Sequence, residues 1–249
     1  MEKLRLGVIG VGSVVREIYQ HLYFSSAYSE LISVEAVAEP DAPTRAAFCE
    51  AHGIAPSNRF ADYERMLDAC DLDAVGVNTP DSLHEAPTVA ALDRGLDVLL
   101  PKPLADSIGA AHRMRAAALR NQRLIGVDFH KRHDPRILTA ARRYAAGAYG
   151  EFQYADWHMI DRLLVADPNH EPRFFATDDF AEANSPISFL GVHMADSFMQ
   201  VVPLQPVAVR ATAWSQKLPS LRPRPVRGYD MCDTEVVFEN DGVAHFVTG

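Results

Sequence analysis

The apolar residues in the first half of the chain fall into short continuous runs, and each run is followed by a stretch with helical spacing. A strand that is buried on both faces of a sheet has this kind of continuous apolar run. Regular alternation of such strands with helices is typical of right-handed crossovers in a parallel sheet. The pattern therefore predicts a parallel α/β domain of the Rossmann type over residues 1–128.

The spacing also sets the elements of this first domain. We predict strands over residues 6–10, 31–39, 58–60, 74–78, 97–100 and 124–129. We predict helices after the first strand and over residues 43–52, 63–70, 83–94 and 108–121. Proline near the start of the second helix, Pro43, and glycine after the helix ending at residue 94, Gly95, support these boundaries.

The pattern changes after Gly150. A helix over residues 134–146 leads into an aromatic strand over residues 151–158, a long polar connection and a helix over residues 186–201. Strands are predicted over residues 207–215, 234–239 and 243–247, with Asn240–Gly242 as a hairpin turn and residues 218–227 as a surface loop. This is the pattern of an α+β domain with an open, mostly antiparallel sheet, over residues 129–249.

The turn after the first strand contains a Gly-x-Gly pair, Gly10 and Gly12, followed by Ser13 and Val14. Gly10 permits a tight turn, and Gly12 lets the backbone approach a pyrophosphate at the positive end of the next helix. The third position of the G-x-G-x-x-G pattern is Val15, which cannot pack as closely on the strand. A lone Gly-x-Gly pair also occurs in ordinary strand-to-helix turns.

An acidic residue, Glu39, ends the second predicted strand. In dinucleotide-binding folds the acid at this place accepts hydrogen bonds from the adenosine ribose hydroxyls. Its carboxylate would repel a 2′-phosphate, so the sequence favours NAD over NADP. The alternative is an ordinary exposed acid at a strand end.

Composition narrows the classes of function. The net charge of −9 argues against nucleic acid and anionic membrane as partners. No apolar run approaches the about 18 residues that a membrane span needs. The three cysteines are far apart and form no C-x-x-C pair, so we expect neither a metal site nor a disulfide framework. With no signal peptide at Met1, we expect a cytoplasmic protein.

The ends of the fourth and fifth strands match a known family. Asn78, Thr79 and Pro80, then His84, then Lys102–Pro103 resemble the Gfo/Idh/MocA oxidoreductases, named for glucose–fructose oxidoreductase, inositol dehydrogenase and rhizopine catabolism. Pro101 stands where the family has glutamate. The resemblance implies that Asn78, Thr79, Pro80, His84 and Lys102 contribute to cofactor binding. For His84 a plain helix-start role is the alternative.

The resemblance also implies two catalytic residues. Lys102 would polarise a substrate oxygen during hydride transfer, and the alternative is a surface lysine at a tight turn. His193 matches the family's catalytic histidine and would exchange a proton, and the alternative is a structural histidine. The family's aspartate four residues earlier is replaced by Phe189. Phe189, His193 and Asp196 are expected to share one helix face.

Further groups have open roles. The cluster His130–His133 is either a receiver of an anionic or polyhydroxylated substrate or a solvated surface. His158 and Asp161 are candidates for the acid that Phe189 lacks. Asp196 is expected to be a local packing or capping partner.

Two functions follow from this sequence. The first is an NAD-dependent oxidoreductase that moves a hydride to or from a carbon bearing a secondary hydroxyl on a sugar, cyclitol or related polyol. The alternative is a non-catalytic or regulatory NAD-binding protein of the same fold, suggested by Phe189 and Pro101. Family members are longer, so we expect the later part of the second sheet to be absent here. A sheet edge left open would need cover, and we expect a homo-oligomer through this sheet.

Overall fold

The computed structural model describes residues 3–171 and 180–249. The chain divides into two compact units, Met1–Asp128 and Phe129–Gly249. Part of the long connection predicted over residues 161–186 lies outside the described residues. Its described parts hold a short 3₁₀ turn, Leu163–Val165, and a one-turn helix, Phe180–Ala183.

The first unit is built on a six-stranded sheet with the spatial order β3-β2-β1-β4-β5-β6. The strands are β1 Leu4–Ile9, β2 Ile32–Ala38, β3 Arg59–Phe60, β4 Ala74–Val77, β5 Asp97–Pro101 and β6 Ile125–Asp128. All the described pairings in this sheet are parallel. The predicted parallel α/β domain is confirmed. The strand order reverses between β1 and β4, which is where such sheets bind ligands.

The helices of the first unit connect these strands. They are α1 Gln20–Tyr23, α2 Ala42–Ala51, α3 Tyr63–Ala69, α4 Glu85–Asp93 and α5 Ile108–Asn121. Side-chain oxygens cap the N-termini of three of these helices. Asp41 accepts from the Thr44 N–H, Asp62 from the Arg65 N–H and Ser107 from the Ala110 N–H. These boundaries lie within about two residues of the predicted ones, as expected when caps and apolar spacing agree.

The helix that follows the Gly-x-Gly turn starts differently from the prediction. Residues Val15–Tyr19 form a π-helical segment, and only then does α1 continue as an α-helix. Val15 and Tyr19 of this segment are buried. Val15 stands where the G-x-G-x-x-G pattern has a small residue that packs closely on the strand.

The core of the first unit lies on both faces of the sheet. Successive side chains of a strand point to opposite faces, so Val8 and Ile9 of β1 enter different clusters. One cluster packs α3, α4 and α5 around residues such as Met66, Leu92 and Met114. The other packs Val15 and its neighbours in the first helix. The two-sided burial explains the continuous apolar runs in the sequence.

The second unit has a four-stranded sheet with the order β7-β10-β9-β8. The strands are β7 Tyr154–Met159, β8 Pro206–Trp214, β9 Met231–Phe238 and β10 Val243–Thr248. β10 is parallel to β7, and the other two pairings are antiparallel. The helices are α6 Pro135–Ala145, α7 Phe180–Ala183 and α8 Val192–Val201. The predicted mostly antiparallel sheet is therefore confirmed.

One face of this sheet packs on α8. Met194 and Phe198 of the helix pack with Phe152, Phe238 and Phe246 in a buried aromatic cluster. Alternate residues of β9 and β10 point into this cluster, as the period of a strand requires. The turn between these two strands is the predicted Asn240–Gly242 segment, with Asp241 at φ 64°.

The segment predicted as a surface loop over residues 218–227 is not wholly exposed. Leu218 and Val226 are buried and pack with Ala181 in a small separate cluster. The Asp230 carboxylate accepts backbone N–H bonds from Leu218 at 2.7 Å and from Gln216 and Lys217. The proline and arginine content predicted that this segment is exposed to solvent. Contacts from distant segments instead bury the apolar residues at both of its ends.

We expected the open edge at the last strand, β10, and this is wrong because β10 pairs with both β7 and β9. The edge that the structure leaves exposed is β8. Every residue of this strand is exposed, and it pairs with β9 alone within the described part of the chain. Homo-oligomer formation through it stays a prediction. Within that same part, no helix is long and apolar enough to cross a membrane, and no group of three or more His, Cys, Asp or Glu residues could hold a metal ion.

A bidentate ion pair joins the start of β1 to the turn before β4. Arg5 donates to Asp73 from Nη2 at 2.7 Å and from Nε at 3.0 Å, and the Arg5 backbone N–H donates to the same carboxylate at 2.8 Å. These bonds lower the pKa of the Asp73 carboxyl to about 2. The pair therefore stabilises the folded unit above the ordinary aspartate pKa and is lost as pH falls towards 2.

We expect Asp73→Asn to lower the melting temperature at pH 7 by about 2–4 °C, as for loss of a well-formed surface pair. The difference from the unmodified protein should shrink as pH falls from 4 towards 2, because the native carboxylate is then protonated as well. Thermal unfolding followed by circular dichroism measures both. Glu50→Gln, which removes an exposed acid from α2, is the matched control. A difference in melting temperature that does not change with pH would contradict the stabilising role of the Asp73 carboxylate.

Candidate active site

The carboxyl ends of β1, β2 and β4 are joined by backbone hydrogen bonds. Gly10 N–H donates to the Ala38 carbonyl at 2.8 Å, and Asn78 N–H donates to the Ile9 carbonyl at 2.7 Å. Gly10 has φ +81°, and a Cβ on it would lie 2.9 Å from the Asn78 carbonyl oxygen. Both the conformation and the close approach require glycine. The predicted turn role of Gly10 thus has a physical basis.

Gly12, unlike Gly10, is not in close contact with a neighbouring strand. A Cβ built on Gly12 would meet nothing within 4 Å, so open space lies in front of this residue. The first helix starts directly after it, with Arg16 N–H donating to the Gly12 carbonyl at 3.1 Å. Open space at a helix start is what a pyrophosphate needs to approach the backbone. The residues present therefore fit a dinucleotide.

The Glu39 carboxylate lies against this turn. Its Oε2 accepts from the Val11 N–H at 3.0 Å, between the two glycines, and its Oε1 accepts from the Asp41 N–H at 3.0 Å. The acid is thus oriented at the end of β2, beside the Gly-x-Gly turn. The Arg45 guanidinium donates to the Glu39 backbone carbonyl, so its charge lies next to this acid.

The end of β4 is supported by buried polar groups. Asn78 is buried, and its Nδ2 donates to the Gly76 carbonyl at 3.2 Å. Tyr23 of α1 comes close to Gly76, and burial raises the pKa of its phenol to about 12. The Tyr19 hydroxyl donates to Asp128 Oδ2 at 2.7 Å. The first helix is therefore tied by polar contacts to β4 and to the end of β6.

Lys102 follows β5 directly, and the Lys102–Pro103 peptide bond is cis. Asp81 lies within electrostatic reach of it, in the turn after Thr79 and Pro80. Burial raises the pKa of the Asp81 carboxyl, and its electrostatic interactions with the neighbouring His84 and Lys102 act against that rise. Sequence reasoning missed Asp81. Its place directly after the Thr-Pro turn was the signal that could have found it.

His84 is fully buried. Its Nδ1 lies 3.1 Å from the Pro103 carbonyl oxygen and 3.3 Å from that of Leu104, and its Nε2 lies 3.0 Å from the Thr79 carbonyl oxygen. The structure therefore places His84 between the two turns that carry the predicted site residues. A direct contact of His84 with a cofactor stays a prediction.

In the second unit, His193 lies on α8 and is buried. Its ring packs edge-to-face against His130, with ring centroids 5.0 Å apart. Three residues further along the helix, Asp196 pairs with Arg132, which donates from Nε at 2.9 Å. The cluster His130–His133 thus faces α8. This pairing agrees with the expectation that Asp196 is a local packing partner.

Phe189 makes contacts of another kind. It precedes α8 in a π-helical segment, Ile187–Gly191, and packs edge-to-face on Phe180 at 5.1 Å. It also lines an apolar cavity of about 220 Å³ within the second unit. The expected shared face assumed α-helical spacing, and a π-helical turn changes that spacing. His193 and Asp196 both contact the segment His130–His133, whereas Phe189 packs on Phe180.

The two candidates for the missing acid have their own contacts. His158 Nε2 lies 2.8 Å from Asp156 Oδ1, on the same strand. Asp161 lines the cavity beside Phe189, and its backbone N–H donates to the Gly249 carbonyl at 2.7 Å. Among the described contacts, His130 rather than either of these lies against His193.

Comparison with known proteins identifies the family. Residues 4–129 match the model of the GFO_IDH_MocA family, described as an oxidoreductase family with an NAD-binding Rossmann fold. The chain belongs to the Gfo/Idh/MocA oxidoreductase family. That match covers the first unit from Leu4 onward. The predicted family is therefore confirmed.

Two curated relatives illustrate the kinds of enzyme to which this chain is similar in sequence. Inositol 2-dehydrogenase 4 of Saccharopolyspora erythraea is 32% identical over 149 residues, which is 59% of this chain and 43% of the relative. D-glucoside 3-dehydrogenase of Escherichia coli K12 is 26% identical over 199 residues, which is 80% of this chain and 54% of the relative. The chain thus spans about half the length of these family members.

Solved structures show the same fold. Myo-inositol 2-dehydrogenase from Lactobacillus plantarum superimposes with a TM-score of 0.85 at 17% identity, covering 99% of this chain and 70% of that one. An inositol dehydrogenase homolog from Azotobacter vinelandii, complexed with NADH and myo-inositol, gives 0.82 at 20% identity, covering 100% and 64%. Both units of the present chain therefore have the folds seen in these solved structures.

The two glycines allow a matched test of the turn. Gly12→Ala should fold with an unchanged melting temperature, because its Cβ meets no protein atom. It should weaken NAD binding by about tenfold or more, because the methyl group enters the space in front of the backbone. Gly10→Ala should lower the melting temperature, because of its positive φ and the Asn78 carbonyl. Calorimetric titration and thermal unfolding separate the two effects. Full NAD affinity in Gly12→Ala would count against this site.

Proposed function

We propose that this protein is an NAD-dependent oxidoreductase acting on a carbon with a secondary hydroxyl in a sugar, cyclitol or related polyol. The observation that carries the proposal is the grouping of Gly10, Gly12, Glu39 and Lys102 at the carboxyl edge of one parallel sheet. The inositol and glucoside dehydrogenases among its relatives support the substrate class. The activity of the longer relatives is carried to this chain as part of the proposal.

The residues of the first unit divide the work of holding the cofactor. The Gly10–Gly12 turn leaves space for the pyrophosphate at the start of the first helix. Glu39 is oriented by two backbone N–H groups and accepts from the ribose hydroxyls, exchanging its bond to Val11 where needed. Asn78, Thr79 and Pro80 border the sheet edge towards the nicotinamide. That ring, when bound, accepts or returns the hydride.

Two side chains carry the proton and charge changes of the substrate. Lys102 donates a hydrogen bond to the substrate oxygen and stabilises the charge that develops on it. His193 takes the hydroxyl proton in the oxidation direction and returns it in the reduction direction. The His130 ring packs edge-to-face against the His193 ring. The Asp81 carboxyl lies within electrostatic reach of Lys102.

The preference for NAD follows from Glu39. A carboxylate fixed beside the Gly-x-Gly turn would repel the additional phosphate of NADP. Arg45 is the opposing feature, but its guanidinium donates to the backbone carbonyls of Glu39 and Pro40. We therefore infer NAD as the working cofactor.

Two further expectations belong to the proposal. The fully exposed strand β8 supports a homo-oligomer through the second sheet, which equilibrium sedimentation would detect. The three cysteines are free, which supports a reducing compartment such as the cytoplasm. Neither expectation affects the chemistry at Lys102.

Lys102→Met tests the chemical step. It keeps the length and apolar stem of the side chain but removes the donor, and kcat should fall by about 10²–10³-fold. NAD affinity should change far less. Absorbance of the reduced nicotinamide, screened over inositols and sugars, gives the rates, and Lys3→Met is the control for loss of an exposed lysine. NAD binding without turnover on every candidate substrate would favour the non-catalytic reading instead.

Cofactor choice has its own test. Titration calorimetry should show that the protein binds NAD at least about tenfold more tightly than NADP. Glu39→Gln should weaken NAD binding and reduce the difference in affinity between NAD and NADP. The reason is that the amide neither repels a phosphate nor accepts from both hydroxyls as a carboxylate does. The role of Glu39 fails if NADP binds the unmodified protein as tightly as NAD does.

A further inference from the structure

His84 connects two turns that the sheet alone does not connect. One turn, Thr79–Pro80, follows β4, and the other, Lys102–Leu104, follows β5. β4 and β5 are paired by backbone bonds only as far as Gly76 and Leu99. Beyond that point the His84 ring bridges them, with Nε2 at the Thr79 carbonyl and Nδ1 at the Pro103 and Leu104 carbonyls.

The donor chemistry of this bridge is demanding. Carbonyl oxygens only accept hydrogen bonds, and a neutral imidazole has one N–H donor. In either neutral tautomer the ring therefore donates to one turn, whereas the doubly protonated ring donates to both. No other side chain of this volume offers two ring donors on opposite sides. Phenylalanine would fill the space and hold neither turn.

Burial argues against a direct role at a ligand. His84 has no exposed surface, so its ring is not presented to solvent. A plain packing role would not require both nitrogens to meet carbonyl oxygens of separate turns. Asp81 lies within electrostatic reach of both Lys102 and His84, which places the bridge beside the charged groups of the site.

We propose that His84 is a positioning residue, which fixes the Lys102 turn against the Thr79–Pro80 turn so that the lysine ammonium is held at a constant place. The inference rests on the proposed function, since Lys102 is the group that would contact substrate. It differs from the cofactor contact implied by the family resemblance, because it acts through Lys102 and through backbone carbonyls.

The matched variants are His84→Phe, which keeps volume without donors, and His84→Gln, whose amide can donate to one turn. His112→Gln, on the exposed face of α5, is the control. We expect kcat to fall about 10- to 100-fold in His84→Phe and less in His84→Gln, as for misplacement of a catalytic group by a fraction of an ångström to an ångström. NAD affinity should change by less than about threefold.

Two readouts separate positioning from general loss of structure. In the pair His84→Phe with Lys102→Met, the double variant should be no slower than Lys102→Met alone, because His84 acts through the lysine. Hydrogen–deuterium exchange of the intact variants should increase in the peptide around residues 99–107 and stay unchanged in α5. Additive losses in kcat, or unchanged exchange around Lys102, would overturn the proposal.

The remaining outcomes are also decisive. If neither His84 variant folds, the residue belongs to the core alone and the positioning role is wrong. If Lys102→Met keeps full turnover, the proposed function of Lys102 fails, while increased exchange around residues 99–107 would still show the bridge. If Lys102→Met loses turnover and His84→Phe does not, only the inference fails.

Discussion

The contact between the carboxyl ends of β1 and β4 is the constraint on which the candidate site depends. Gly10 lies so close to the Asn78 carbonyl that no side chain fits. Backbone bonds join the end of β4 to β1 and the end of β1 to β2. Because the strand order reverses here, the connecting helices leave in opposite directions and open a crevice. Glu39 and Gly12 face this crevice from one side, and the Thr79 and Lys102 turns follow from the neighbouring strands.

Buried and half-buried polar groups hold this edge together. Asn78 bonds the carbonyl of Gly76, Tyr19 bonds Asp128, and His84 meets three carbonyl oxygens. Buried polar groups are costly unless bonded, so each of them restricts the backbone that it bonds. A site that must hold a flexible lysine in one place gains from such restriction. The chemistry proposed for Lys102 thus depends on groups that never touch a substrate.

The second unit follows a different principle. Its sheet is covered on one face by α8 through an aromatic cluster, while β8 remains exposed along its length. His193 lies where α8 meets the turn His130–His133, so the histidine is held between a helix and a loop of the same unit. Phe189, at the position where the family has an aspartate, lines an apolar cavity of this unit.

Local spacing, caps and short motifs, which the chain carries within about ten residues, were enough to predict the parallel sheet, the family and most element boundaries. Long-range contacts set the rest: the π-helical turns at Val15 and Phe189, the burial of Leu218 and the electrostatic contact of Asp81 with Lys102. They also set the orientation of the His84 ring, because its Nδ1 meets the carbonyls of Pro103 and Leu104, which lie 19 and 20 residues away in sequence.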